Sequence, residues 1–251
     1  MIRPVLRTKK ATGPHSVLFV HGTMDHSAAF QQAAAHLPDW TVSGYDRRGW
    51  GASRQLADTR TALADHVADL IAVATRLRQP VLAGHSYGAL TALAAAAQRP
   101  DLFRAVVAYE PPVPWLPWWP GTAPWEQLVH DTIPQGPAAT ARALRQAVLG
   151  RPAHGTGDAQ LHPDGLALIR EMTDPTLDKP CFDPSTLHTP VLTASGSRSL
   201  PHHQQTALHL AHLLPAGRHE TVEGAGHIAH ATHPQRFAEL LAQTTTATPA
   251  R

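Results

Sequence analysis

The 251-residue chain carries 21 Lys and Arg against 19 Asp and Glu, and no basic run forms the stripe expected of a nucleic-acid binder. Hydrophobic residues at 43% and charged residues at 16% exclude a disordered composition and supply enough apolar matter for one large domain. The lone cysteine, Cys181, excludes an internal disulfide and fits a reducing compartment.

Met1 to Lys10 contains Pro4 and four basic residues but no apolar segment, so no secretory signal is expected. No apolar run approaches the roughly 18 residues of a membrane span. A cytoplasmic protein with neither a membrane nor a nucleic-acid partner is therefore expected, and a monomer and a homodimer both suit this composition. The 18 histidines are mostly scattered and accompany a wealth of Ala, Arg and Pro. They read as compositional bias, and no metal site is expected.

Short apolar runs alternate with helical patterns along the chain, which predicts an α/β protein with a mostly parallel sheet. The predicted strands are Ser16–Val20, Trp40–Tyr45, Pro80–Gly84, Ala105–Tyr109, Pro190–Ala194 and Arg218–Val222. The short segment before Ser16 leaves room for a clipped antiparallel edge, giving seven strands or fewer. Leu63, Val67, Leu70, Ile71, Ala74 and Leu77 keep one face of a helix apolar. Tyr87 to Gln98 is Ala-rich and predicts a helix packed on the sheet. A last helix begins near Pro234, which suits a first-turn position, and buries Phe237, Leu240 and Leu241. The tail from Thr244 is expected to fray.

One stretch breaks the rhythm. Residues 111–188 hold many prolines, no good strand and modest helical patterns around Ala138–Leu149 and Leu166–Glu171. This segment is expected to be a cap inserted into a core formed by residues 1–110 and 189–251.

Three segments carry chemistry. Gly84-His85-Ser86-Tyr87-Gly88 follows an apolar strand and precedes a helix, the context of a G-x-S-x-G nucleophile elbow. The turn demands small residues, because side chains at Gly84 and Gly88 would meet neighbouring backbone. It presents Ser86 at the positive end of a helix. In the second segment, Val17-Leu18-Phe19-Val20-His21-Gly22-Thr23-Met24, a strand ends in His-Gly. The amides of Thr23 and Tyr87 would form an oxyanion hole, with Met24 the alternative donor if the turn is one residue longer. His21 reads as a structural hydrogen-bonding residue. In the third, Glu223-Gly224-Ala225-Gly226-His227, glycines flank a loop that can bring His227 over the serine as general base. His230 and His233 read as surface groups or as neighbours acting through His227.

These segments, with Tyr45-Asp46-Arg47-Arg48-Gly49-Trp50-Gly51-Ala52-Ser53, resemble the α/β-hydrolase superfamily over nearly the full length. The resemblance implies an α/β-hydrolase fold, with Asp46 and Arg48 bracing the loop near the oxyanion hole and Trp50 either lining a cavity or simply packing. It also implies an acid three residues after the glycine ending the penultimate strand. That position is Ser199, which cannot stabilise an imidazolium. Glu110, after Tyr109 and before Pro111-Pro112, is the favoured acid, an arrangement that resembles haloalkane dehalogenases and zearalenone-type lactonases. Asp174, Asp178, Asp183 and Glu223 are alternatives, each with an adequate turn or loop role. A slow Ser–His pair, or a retired ligand-binding site, is the remaining reading.

The segment PPVPWLPWWPGTAPW places four of the six tryptophans at Trp115, Trp118, Trp119 and Trp125. Stiffened by proline, these rings, with Met24, are candidates for a substrate wall, or for glue between cap and core. The expected reaction is hydrolysis of a medium-sized apolar or aromatic ester, lactone or thioester through an acyl group on Ser86, without metal or organic cofactor. C–C hydrolysis and cofactor-free perhydrolase chemistry are the alternatives on the same residues.

Overall fold

The computed structural model describes residues 4–58, 61–149 and 157–246. Among these residues seven strands form one sheet: β1 Leu6–Lys9, β2 Ser16–Val20, β3 Thr41–Tyr45, β4 Val81–His85, β5 Ala105–Tyr109, β6 Val191–Gly196 and β7 Gly217–Val222. The order is β1-β3-β2-β4-β5-β6-β7, with β1 antiparallel at the edge and every other pairing parallel. The predicted strands all form, and the antiparallel edge is the short β1.

Alternation along each strand feeds two cores. Leu18 and Val20 of β2 join one apolar cluster, while Val17 and Phe19 join the other, so both faces of the sheet are covered. The helices that cover them are α1 Gln31–Ala35, α2 Leu63–Ala74, α3 Tyr87–Gln98, α7 Pro201–Leu213, α8 Ala229–Thr232 and α9 Pro234–Thr246. The apolar spacing that extends to Leu77 outruns α2 itself. After Ala74 the chain tightens into turns, with the Leu77 amide donating to the Ala74 carbonyl at 2.9 Å, and Leu77 packs on the core from there. At the other end of the chain α9 runs past the expected end at Thr244, and residues 247–251 lie outside the described residues.

Between β5 and β6 lie α4 Pro124–Thr132, α5 Pro137–Leu149 and α6 Asp158–Met172. The last starts eight residues earlier than its apolar pattern suggests and holds Pro163 inside it. Trp50, from the loop after β3, is buried with Val129, Leu144, Ala167 and Leu168 in a third cluster that ties these helices to the core. No helix among the described residues is long and apolar enough to cross a membrane.

Chain order reverses direction in the sheet at β2, which is flanked by β3 on one side and β4 on the other. A parallel sheet opens a crevice at the carboxyl ends of the strands at such a point. The turns after β2 and β4 meet there.

Candidate active site

Ser86 sits between β4 and α3 with φ 53° and ψ −126°, a backbone position that costs a non-glycine residue free energy. Two more non-glycine residues with positive φ, Met24 at 60° and Glu110 at 47°, lie at the ends of β2 and β5. Thus three of the four such residues described, Gln79 being the fourth, gather at one end of the sheet. Local strain concentrates where the candidate chemistry was placed.

Tight packing holds the serine turn. A Cβ on Gly84 would lie 2.5 Å from the Ala89 Cα, and one on Gly88 would lie 2.2 Å from the Val20 carbonyl oxygen. The amides of Thr23, Met24 and Tyr87 donate to no protein group among the described residues, and all three residues line the same cavity as Ser86.

Glu110 is fully buried, and its carboxylate is fully engaged. Oε2 lies 2.6 Å from His227 Nδ1, and Oε1 accepts from the Gly196 amide at 2.8 Å and from the Ser199 hydroxyl. β6 makes this possible by continuing to Gly196, past its expected end at Ala194. Ser199, at the position where the superfamily carries its acid, donates its hydroxyl to Glu110. The other carboxylates are elsewhere. Asp174 accepts from the Leu63 amide at the start of α2, Asp183 from Ser185, and Glu223 from Ser197, while Asp178 lines a separate cavity.

The Glu110 contact orients His227 so that Nδ1 carries the proton and Nε2 is the basic nitrogen. Ser86 and His227 line one cavity of about 660 Å³, and no hydrogen bond joins the hydroxyl to the imidazole without substrate. Such bonds often tighten only in the substrate complex. The loop is fixed by its backbone: Tyr109 donates to the Gly226 carbonyl at 2.8 Å, and His85 Nε2 to the His227 carbonyl at 2.9 Å. Of the flanking glycines, Gly224 has φ 75°, whereas a Cβ on Gly226 would meet open space, so the bend rests on Gly224.

Burial acts to raise the Glu110 carboxyl, but the hydrogen bond and charge of His227 and the Gly196 amide outweigh it, and its pKa falls from 4.5 to about 2. A depressed folded-state pKa adds stability that is present above pH 4.5 and is lost as pH falls toward 2. The difference in melting temperature between wild type and Glu110→Gln should accordingly narrow through this window. Parallel curves in calorimetry would remove the basis for it.

Histidines crowd the site. His203 stacks on His227 with ring centroids 4.9 Å apart, and burial holds its own pKa down at about 3, so it stays neutral. On the other side His85 lies 4.7 Å from His227 and 4.5 Å from His230. His230 is buried, lines the cavity and pairs with Asp25 at 3.2 Å. Of the two places expected for His230, the surface one is corrected: packing on Phe30 and Phe237 holds it inside, against His85, which in turn meets His227. His233 keeps a peripheral place, bonded to Thr232. Among the described residues two groups, Asp25-His85-His230 and Glu110-His203-His227, hold ligand atoms within 4.8 Å of one another and could take a metal ion. In the first, His85 Nε2 is committed to a carbonyl. In the second, Glu110 and His227 are committed to each other.

Of the four tryptophans at positions 115, 118, 119 and 125, only Trp125 lines the cavity with Ser86. Trp115 and Trp118 are corrected to packing roles, edge-on to Phe182 and against His209. Trp119 lines a neighbouring cavity and meets His202 and His203 edge-on. Met24, Trp50, Leu144, Val148 and Met172 complete the apolar wall, with Arg54, Arg145 and Arg198 also on the lining.

His21 is buried and structural, accepting the Arg47 amide on Nε2 at 2.9 Å. Asp46 braces the loops at Ser27 and Ala52, as the resemblance implies. Arg48 does not bond to the turn at residues 21–24. Its guanidinium grips Asp69 of α2 through two bonds of 2.8 Å, and the neighbouring Arg47 turns inward instead, with Nε on the His21 carbonyl at 2.7 Å.

An open parallel sheet that reverses its strand order at β2 and carries a strained serine between β4 and α3 is the architecture of the α/β hydrolases. Residues 17–240 match the alpha/beta hydrolase family, and the chain belongs to it. It is 39% identical over 105 residues to a 2-(acetamidomethylene)succinate hydrolase of Mesorhizobium japonicum, covering 41% of this chain and 37% of that protein. It is 33% identical over 110 residues to lipase LipV of Mycobacterium tuberculosis, covering 41% and 39%. The matched stretch therefore spans well under half of either relative. A hydrolase from Oleispira antarctica has the same fold, with a TM-score of 0.76 at 18% identity over 98% of this chain and 96% of that one.

Proposed function

We propose that the chain is a serine hydrolase that cleaves a carboxylic ester, lactone or thioester through an acyl group on Ser86. The observation that carries this reading is the 2.6 Å contact of buried Glu110 with His227, whose other nitrogen is free at the cavity lined by Ser86. That contact also weighs against a retired site, because an ordered carboxylate–imidazole pair beside a strained serine has no evident packing purpose.

In this reading His227 Nε2 takes the proton as Ser86 Oγ attacks the carbonyl carbon. The amides of Thr23 and Tyr87 receive the oxyanion, while Glu110 stabilises the imidazolium. His227 then protonates the leaving group, which departs. A water, deprotonated by the same nitrogen, attacks the acyl carbon and releases the acid and the free serine. Residues 111–188 act as the cap, bringing Trp125, Leu144, Val148 and Met172 over the serine. A cavity of this size with such a wall suits a medium-sized apolar or aromatic acyl compound. The relatives named as a hydrolase and a lipase support hydrolytic chemistry.

A fluorophosphonate probe followed by peptide mass spectrometry tests the assignment. One adduct on Ser86, absent in Ser86→Ala, is expected, with turnover of aromatic esters and lactones. An unmodified Ser86 would overturn the nucleophile, and turnover of short acetate esters alone would overturn the substrate class.

A further inference from the structure

Beneath the turn that follows β2 lies a charged network that the reaction above does not use. Glu171, near the end of α6, is 4% exposed. Its Oε1 accepts from Arg47 Nη1 at 2.5 Å and from Trp50 Nε1 at 2.8 Å, and its Oε2 accepts from the Thr23 hydroxyl at 2.6 Å. Every donor comes from a loop after β2 or β3, whereas the acceptor comes from the segment inserted between β5 and β6. Arg47 is itself fully buried and holds the His21 carbonyl from the other side. The turn 21–23 is thus gripped at His21 by Arg47 and at Thr23 by Glu171.

The energetics make this grip close to all-or-none. A buried carboxylate and guanidinium are tolerable only together, and separating them strands two charges away from water. The carboxylate also sits near the place where an oxyanion would form, and Arg47 offsets the charge that would otherwise oppose it.

We infer that Glu171 is a positioning residue: through the Thr23 hydroxyl it sets the turn whose amide serves the oxyanion hole. The hole is complete only while α6 is docked on the core. The catalytic consequence rests on the function proposed above; the mechanical one does not.

Asp174 supplies the comparison. It pins the same segment to the core through the Leu63 amide at 2.7 Å and does not touch the turn. Glu171→Gln, Asp174→Asn and Thr23→Val are compared by kcat and KM on an aromatic ester, by melting temperature, and by hydrogen exchange of residues 21–25. Glu171→Gln should lower kcat by roughly 10- to 100-fold, with KM within about two-fold, less than the loss of a whole oxyanion donor. Exchange in the turn should accelerate. Asp174→Asn should lower the melting temperature and leave kcat and turn exchange alone. Thr23→Val strands no buried charge, so it carries the same readouts should Glu171→Gln not fold. Combined with Glu171→Gln, it should add little further loss. Parallel kcat losses in Glu171→Gln and Asp174→Asn would overturn the inference, and so would unchanged turn exchange in both Glu171→Gln and Thr23→Val. If wild type takes no label on Ser86, the proposed function fails, and the exchange measurements alone still decide the grip.

Discussion

Glu110→Gln should lower kcat by about 10³–10⁴-fold with the fold intact, the scale seen when a triad carboxylate becomes an amide. The amide keeps an oxygen for the Gly196 N–H and the Ser199 hydroxyl, so packing survives. It loses the anion that stabilises the imidazolium, and its NH₂ favours the wrong tautomer of His227. Asp178→Asn and Asp183→Asn should leave kcat within about two-fold, since neither residue approaches His227. A sharper arm uses Ser199, which already bonds to Glu110 from the position where the superfamily carries its acid. Ser199→Asp alone would set two carboxylates side by side and raise the pKa of one of them. Placed on Glu110→Gln, the same substitution restores an anion within reach of the site, and at least a ten-fold recovery of kcat is expected. Near-full activity in Glu110→Gln would show that the acid lies elsewhere.

The parts legible in the sequence were those where local chemistry and global geometry agree. Strands β2, β4 and β5 hold unbroken apolar runs at residues 17–20, 81–83 and 105–109, buried on both faces, so period and burial point the same way. The serine turn was legible because only glycine fits at positions 84 and 88. Glu110 came into view through the resemblance to members that carry the acid after this strand, once Ser199 occupied the usual position, while Asp174, Asp178, Asp183 and Glu223 stayed open.

Arg47 and Glu171 were missed. They lie far apart in sequence and meet across a segment whose helical signal is broken by Pro163 and Gly165, so no window contains both. Arg48 drew attention through its place in the motif, yet adjacent residues of an irregular loop point different ways, and only the packing of α2 decides which one turns inward. The tryptophans misled for a related reason. Proline fixes the backbone of residues 111–125 but leaves the ring directions to whatever surface the chain crosses, which for Trp115 is Phe182 and for Trp118 is His209. Among the histidines, composition hid a real cluster, because stacking on His227 requires α7 and the His227 loop to be juxtaposed by β6 and β7.

Gly88→Ala should destabilise the fold severely, and the sign is not obvious from local propensity. Within the first turn of α3, alanine in place of glycine gains up to about 1 kcal/mol of helix propensity. Against that, the added carbon would lie 2.2 Å from the Val20 carbonyl oxygen and 2.4 Å from that of His21. These atoms are backbone at the end of a strand held by β3 on one side and β4 on the other, so no side-chain rotation relieves the contact. The clash should cost at least about 3 kcal/mol, the upper range of core overpacking, and it wins. Relief requires α3 to move off β2, which also widens the gap between the Tyr87 and Thr23 amides. Activity should therefore fall further than the folded fraction does. Urea unfolding with Gly121→Ala as the control, where nothing lies within 4 Å of the added carbon, separates crowding from the generic effect of replacing glycine. Wild-type stability in Gly88→Ala would mean that α3 and β2 are not held in this close approach, and the two-donor hole would lose its geometric footing.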